Sequence, residues 1–285
     1  MDIPVSISEP VVRFATFAIV LFILASLEAV IPKRALNYSK WRRWTTNFSV
    51  VATGIATVRG LALLANATAV PLVALAAAEL AGANGWGLFN SVDWPDWFEL
   101  CFAIVVLDFA VWLQHVLSHK IPVLWRLHQV HHADVDIDVT TALRFHPIEI
   151  GLSMLYKVVW VLALGPAALA VLVFEIVLNA CAMFSHSNIN LPARLDRLLR
   201  TIIVTPDMHR VHHSVLRHEH DSNYGFNLSV WDRLFGTYTG EPRDGHIGMT
   251  IGLAAFQSEA PARLLWSLWR PFASADVQDR LKETD

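Results

Sequence analysis

Long apolar segments limit what this chain can fold into more than any other feature of its sequence. The first of them is residues 11–31, VVRFATFAIVLFILASLEAVI. As a helix this run is long enough to cross a hydrocarbon layer about 30 Å thick. This run lacks a preceding basic segment and a small-residue cleavage site, so we interpret it as a retained membrane helix. Of the 285 residues 54% are hydrophobic and 16% charged, with a net charge of −3. This composition predicts an integral membrane protein and argues against nucleic acid as a partner.

Four further apolar stretches follow along the chain. Residues 47–81 are too many for one straight span, and we expect Pro71 to break them into a kinked helix or a helical hairpin. Residues 82–87, GANGWG, are expected to form a loop. A further span is predicted from Trp94 to His119, and 148–165 with 167–186 form a hairpin. The sequence therefore predicts an all-α membrane bundle with about four transmembrane segments.

A basic stretch indicates on which side of the membrane the first helix ends. Residues 33–44, KRALNYSKWRRW, hold five Lys or Arg residues, which predicts a cytoplasmic loop with Trp41 and Trp44 at the lipid interface. If 47–81 makes one net crossing, all histidine clusters lie on this side, in a cytoplasmic histidine-rich cap. The tail segment 261–272, PARLLWSLWRPF, is amphipathic. It fits a helix on the membrane surface or one packed against the catalytic region.

The histidine pattern carries the chemistry. The pentad H-x-x-H-H occurs twice, as HQVHH (128–132) and HRVHH (209–213), although only 13 residues are histidine. In HVLSH (115–119) the i,i+4 spacing puts both imidazoles on one helix face. In each pentad the first histidine shares a face with the fourth and fifth residues, so one pentad can serve two neighbouring ions. The two cysteines lie apart and form no C-x-x-C, which leaves metal binding to histidine.

Nine or ten imidazoles suit two metal ions with four to five nitrogens each. A closed zinc site needs only four ligands, and imidazole is compatible with Zn, Cu, Fe or Ni. His146 is either a tenth ligand or an interior residue with ordinary hydrogen-bond partners. A bis-imidazole haem protein would want isolated histidines inside the spans, and a transporter would place its ligands at mid-membrane. The histidines lie instead at helix ends and in the polar cap, which favours a site at the membrane surface.

These motifs in their order resemble those of the fatty acid hydroxylase/sterol desaturase superfamily of membrane non-haem di-iron enzymes. Segments 128–149 and 223–238 also resemble its bacterial sterol-desaturase-like branch. The resemblance covers about residues 95–240, which gives a transmembrane scaffold (1–94), a catalytic domain (95–240) and an amphipathic tail (241–285). It implies two iron ions that activate O2 to oxidise a lipid C–H bond. The implied metal ligands are His115, His119, His128, His131, His132, His186, His209, His212 and His213. One further position would be filled by His146, Asn188 or water.

Polar residues inside the spans are candidates for orienting the ligands. Asp108 lies seven residues before His115 on the same helix face, and Glu175 and Asn179 precede His186 by eleven and seven residues. We expect Asp108 and Glu175 to accept hydrogen bonds from ligand imidazoles. For both acids, and especially for Glu175, an ion pair with Arg59 or Lys157 is the alternative.

Charged residues also flank the histidine boxes. Asp134, Asp136 and Asp138 alternate after the first pentad, which is typical of a solvated loop face or of an acid contacting a histidine N–H. Arg144 and Arg210 either pair with these acids or hold a lipid head group.

The function predicted from the sequence is O2-dependent hydroxylation, rather than desaturation, of a membrane lipid such as a sterol-like or fatty acyl compound. No G-x-G-x-x-G fingerprint is present, so electrons are expected from a separate ferredoxin-like or cytochrome-like donor. The expected location is a bacterial inner membrane. The alternatives are a membrane zinc metallohydrolase and a non-catalytic metal-binding or transport protein.

Overall fold

The computed structural model describes residues 9–68 and 72–273, and this part of the chain is helical. It has short 3₁₀ turns and isolated bridges but no β-strand within those ranges. The α-helices are α1 (Glu9–Val30), α2 (Lys40–Thr68), α3 (Ala74–Asn84), α4 (Asp96–Lys120), α5 (Pro122–His132), α6 (Pro147–Leu164), α7 (Ala168–His186), α8 (Ala193–Leu199), α9 (Pro206–His212), α10 (Arg217–His220), α11 (Val230–Leu234), α12 (Gly245–Gly248) and α13 (Leu264–Trp269). The predicted all-α class is confirmed.

Five of the described helices are long and apolar enough to cross a membrane, namely α1, α2, α4, α6 and α7. The prediction of about four segments is close, and the chain is an integral membrane protein. Pro122 stops one span as expected and also begins α5, because proline is tolerated at the first helical position.

The block 47–81 differs from both arrangements expected for it. Within it, α2 is one helix of 29 residues, whereas α3 has 11 residues and is about 16 Å long, too short to cross. Pro71 lies outside the described residues. The basic stretch is also not all loop, since α2 begins at Lys40, and α3 extends to Asn84 within the predicted loop.

All histidine clusters lie at one end of the bundle, as the single net crossing predicts. At this end α4 and α7 finish and α6 begins, and the backbone after α1 pairs with the chain after α7 at Pro32 and Ile189. At the opposite end the turn at Gly87 packs directly on Gly165, where a Cβ on Gly87 would lie 2.3 Å from the Gly165 nitrogen. Both glycines have positive φ, which other residues adopt only with strain.

The spans pack so that a space remains between them near the histidines. Helices α2 and α6 approach closely at Gly54 and Gly151, where an added Cβ would meet Ile150 and Thr57 at 3.4 Å. On the other side α4 packs against α7, and α7 against α1. The apolar core between α3, α4, α6 and α7 includes the fully buried Phe174. These contacts fix the helix ends that carry the histidines.

The C-terminal segment packs against the protein and keeps an apolar outer face. Ser267 of α13 is fully buried and receives a hydrogen bond from Arg144 Nη2 at 2.8 Å. Leu265 and Trp269 on the outer face are 80% and 70% exposed. Of the two predicted arrangements, packing against the protein's own helical region is found, and the exposed face remains suited to a membrane surface.

Candidate metal centre

The first five histidines lie on two helices joined by a tight turn. His115 and His119 are one turn apart at the end of α4, and the bend at Pro122 turns the chain back so that α5 packs beside α4. The first pentad occupies the last turn of α5.

The remaining four predicted ligands come from α7 and α9. His186 is the last residue of α7, and the second pentad begins on α9. Thr205 caps α9, with its hydroxyl accepting a hydrogen bond from the Met208 N–H at 3.3 Å, and Pro206 is the first helical residue. These signals start the helix just before the pentad.

The nine histidines form two groups, and within each group the candidate ligand nitrogens lie within 4.8 Å of one another. One group has five members, His115, His119, His128, His132 and His212. The other has four, His131, His186, His209 and His213. Each pentad contributes to both groups, as its spacing suggested.

The hydrogen bonds within the larger group indicate where a cation would bind. His115 Nδ1 donates to the Tyr224 carbonyl at 2.7 Å, and His128 Nδ1 donates to Glu149 Oε1 at 2.6 Å. The Nε2 atoms of both rings therefore carry lone pairs, yet they lie only 3.1 Å apart. Two lone pairs cannot share a hydrogen bond, whereas a cation between them would satisfy both.

The smaller group has the same character. His186 Nδ1 donates to the Ala182 carbonyl at 2.7 Å, and its Nε2 lies 3.0 Å from the Nε2 atoms of both His131 and His209. Three imidazole nitrogens this close together can bind one metal ion.

Several imidazole nitrogens of the two groups are buried without a hydrogen-bond partner, which strengthens the assignment of a metal site. Both ring nitrogens of His132 and His213 are buried and have no hydrogen-bond partner among the described residues. The same holds for His119 Nε2, whereas His119 Nδ1 lies 3.4 Å from Asp221 Oδ1. Burial, together with the neighbouring imidazoles, lowers the pKa of five pentad histidines well below 6.5. These are His131, His132, His209, His212 and His213. Neutral imidazoles with free lone pairs are the form that binds metal, and leaving so many unpaired would be costly. The residues therefore fit two metal ions.

Backbone carbonyls orient three of the rings, and no side-chain pattern could have revealed them. The acceptors are the carbonyls of Tyr224 for His115, Ser222 for His212 and Ala182 for His186. The fourth acceptor is the Glu149 side chain, which orients His128, and its role was not predicted from the sequence. Such contacts fix which nitrogen faces the metal.

The expected role of Asp108 is wrong. Its carboxylate accepts hydrogen bonds from the N–H groups of Asn227 and Leu228 and from Trp231 Nε1 at 2.8–3.3 Å. Asp108 thus holds the loop that begins with Tyr224, whose carbonyl orients His115, and acts on the histidine only through the backbone.

The histidine contact predicted for Glu175 is also wrong, and its alternative is found. Glu175 forms ion pairs with Lys157 at 2.6 Å and with Arg13 at 2.8 Å. Asn179 donates its side-chain N–H to the Glu175 carbonyl rather than to a histidine.

Asn188 and His146 both have structural partners. The Asn188 side chain accepts from the Arg34 N–H at 3.1 Å and donates to the Arg34 carbonyl at 2.8 Å. His146 caps α6 through Nδ1, which accepts from the Ile148 N–H, and its Nε2 faces the Leu268 carbonyl. Neither residue belongs to a histidine group.

The acids after the first pentad are buried rather than solvated. Arg43 of α2 binds both oxygens of Asp134 at 2.7 and 2.8 Å and Asp138 at 2.6 Å. Asp136 accepts from the backbone N–H groups of Asn37 and Tyr38. The segment that follows His132 is therefore held by residues that precede the histidine region.

The two arginines beside the histidine boxes bind protein groups. Arg144 donates to Asn47 Oδ1, to Ser267 and to two carbonyls, and Arg210 pairs with Asp207. Both side chains are fully buried, so neither faces a lipid head group at the surface.

A cavity of about 210 Å³ lies between the spans and reaches the larger histidine group. His115 and His128 form part of its wall. The rest of the lining is mainly apolar, with a few polar side chains from α4, α6 and α7. An apolar chain in this cavity would lie beside the candidate metal ligands.

Comparison with known proteins agrees with this arrangement. The profile of the fatty acid hydroxylase family matches residues 100–237, the stretch from α4 to the loop after α11. This match covers 138 of the 285 residues, and over these residues the chain resembles the fatty acid hydroxylase family. The superfamily resemblance seen in the histidine motifs is therefore confirmed. Helices α1 and α2 lie outside the matched residues, although Arg43 of α2 binds the segment after His132.

Several curated proteins are similar in sequence. Ornithine lipid hydroxylase OlsE from Rhizobium tropici is 32% identical over 169 residues, which are 57% of this chain and 50% of that protein. Alkylglycerol monooxygenase from Homo sapiens is 30% identical over 193 residues, 66% of this chain and 41% of that protein. Cholesterol 25-hydroxylase from Homo sapiens is 28% identical over 142 residues, 48% and 49% respectively. The chain thus spans about half the length of the curated relatives it matches, and no solved structure matches it.

Proposed function

We propose that this protein is a membrane di-iron enzyme that uses O2 to hydroxylate a C–H bond of a lipid. The observation that carries the proposal is the pair of adjacent histidine groups, five and four imidazoles, at the inner end of a mainly apolar cavity. The proposed ligands are the nine histidines of these groups, with solvent completing the smaller set. When bound, the two irons would supply the activation of O2, since imidazole and open positions suit redox iron.

The chain's own residues prepare this site in three ways. Carbonyls and Glu149 hold the Nδ1 protons, so that the Nε2 lone pairs face the site. The apolar walls exclude water and align the lipid chain beside the histidines. The packed spans keep the histidine-bearing helix ends in place.

The net reaction consumes one O2, two electrons and two protons, and it converts R–H to R–OH with release of one water. The names of the three relatives above support hydroxylation over desaturation. We further propose a separate electron donor, a ferredoxin or cytochrome.

We place the histidine end on the cytoplasmic side of a bacterial inner membrane. The support for this orientation is the distribution of Lys and Arg residues between the two ends of the bundle. The stretch 33–44 at the histidine end holds five Lys or Arg residues, whereas the opposite segments 85–95 and 165–167 hold none. A soluble cytoplasmic donor would then reach the site directly.

Anaerobic purification in detergent with metal analysis tests the proposal. We expect about two irons per chain, and O2 uptake that requires both a reductant and added lipid extract. Firmly bound zinc with no O2 uptake after iron loading would favour a hydrolase, and metal flux in liposomes would favour a transporter. Either result would contradict the proposal.

A further inference from the structure

Glu149 contributes a buried oxygen to the cavity that the protein itself does not use. Its Oε1 accepts the His128 Nδ1–H at 2.6 Å, while Oε2 is buried and has no hydrogen-bond partner among the described residues. The residue is 8% exposed and lines the cavity beside His115 and His128. An unpaired buried carboxylate oxygen is costly, which suggests that something else supplies its donor.

The neighbouring polar groups already have partners inside the protein. Ser153 donates to Gln114 Oε1 at 3.1 Å, and Ser118 donates to the Gln114 carbonyl at 3.0 Å. Lys157 lines the same cavity but forms an ion pair with Glu175. In the described residues Glu149 therefore faces the cavity without a cationic partner other than the His128 ring.

The backbone explains how the carboxylate is held there. Pro147 begins α6 and Glu149 lies in its first turn, where the free N–H groups of the helix stabilise negative charge. His146 caps this turn. The carboxylate is thus kept at the cavity wall without needing a lysine or arginine.

We propose that Glu149 Oε2 accepts a hydrogen bond from a hydroxyl or amine N–H of the lipid substrate. The inference rests on the proposed function, which makes this cavity the lipid site, and it specifies the substrate class. One imidazole ring, that of His128, separates Glu149 from the nitrogen that faces His115. The donor group must therefore lie within a few bonds of the oxidised carbon, so an unsubstituted mid-chain methylene is disfavoured. An ether or ester oxygen in that place would be repelled by the carboxylate.

A matched pair of ligands tests the inference on the metal-loaded protein. Dodecanol and dodecyl methyl ether differ by one methyl group, and only the alcohol can donate. Because a hydrogen bond to a charged acceptor is strong, we expect the alcohol to bind at least about ten-fold more tightly than the ether. Competition between the two ligands in detergent measures this ratio. Equal binding of the two, or no binding of either, would overturn the inference, and this measurement needs no variant.

Two variants locate the preference. Glu149→Gln keeps an amide oxygen for His128 but presents an N–H to the cavity, so we expect the alcohol preference to fall to about one-fold when variant and wild type are compared at equal metal content. Ser153→Ala, on the same wall, should keep the preference. An undiminished preference in Glu149→Gln would overturn the inference.

The outcomes separate this inference from the proposed function. An alcohol preference without any O2 uptake would overturn the proposed function alone. Lipid-dependent O2 uptake without an alcohol preference would overturn this inference alone.

Discussion

Replacing Arg43 should destabilise the protein far more than its position outside the family match suggests. The side chain is 1% exposed and makes three bonds to carboxylate oxygens of Asp134 and Asp138, at 2.6–2.8 Å, and one to the Asp136 carbonyl. Burial alone would raise the pKa of Asp134, yet the Arg43 charge holds this pKa below its usual value. Arg43→Met would leave two buried carboxylates without their cation.

Breaking a buried ion pair by removing one partner costs about 3–5 kcal/mol. That loss is a large share of the roughly 5–15 kcal/mol that keeps a typical domain folded. Asp134 lies two residues after His132, so the same change should loosen a candidate metal ligand and lower the bound metal. Arg43→Lys should fall between wild type and Arg43→Met, because one ammonium cannot reproduce the forked contacts with two carboxylates.

The neighbouring arginine provides a matched control. Arg42 pairs with Glu259 at 2.5 Å, but both side chains are exposed, 68% and 43%. An exposed pair is worth about 0–1 kcal/mol, so Arg42→Met should behave almost like wild type. The assay is the half-life at a fixed elevated temperature in detergent, together with metal content per chain. If Arg43→Met and Arg42→Met gave the same half-life and metal content, the reasoning from burial would be refuted.

Three further predictions concern the histidine site. His209→Ala should lower bound metal and abolish activity, whereas His218→Ala, whose side chain is 68% exposed, should do neither; metal analysis of the two decides. Asp108→Asn should lower the free energy of unfolding by about 1–3 kcal/mol, because it weakens the loop that orients His115. It should also lower turnover. Full turnover in this variant would mean that Asp108 acts in folding alone. The metal-free protein should lose stability as pH falls below about 6.5, because the pentad histidines beyond His128 have lowered pKa values and the unfolded chain takes up protons first. A flat unfolding profile between pH 7 and 5 would contradict that sign.

The sequence allowed the candidate ligands to be predicted because their spacing is local. Within one helix the i,i+4 rule decides which imidazoles share a face, as for His115 and His119 on α4. The length of the apolar runs, with one net crossing at 47–81, was likewise enough to predict that all the histidine clusters lie at one end of the bundle.

The partners of the buried acids could not be predicted in the same way. Asp108 bonds to groups about 120 residues away in the chain, and Arg43 reaches Asp134 from 91 residues away. Helix-face arguments rank neighbours only within one element, so they assigned Asp108 to the nearest histidine. Alternation after the first pentad similarly indicated a solvated face, although Arg43 from α2 covers those acids. Carbonyl acceptors such as Tyr224 leave no trace in the residue types.

The division of each pentad between the two groups has a consequence for how the protein would acquire its metals. Helices α5 and α9 each carry ligands of both groups, so an ion in one group orders the same turns that hold the other group's imidazoles. Binding of the first ion therefore reduces the entropy cost of ordering the turns that bind the second ion. This is positive coupling between the two sites. Metal titration of the empty protein should be steep, and chains holding a single ion should be scarce at half saturation.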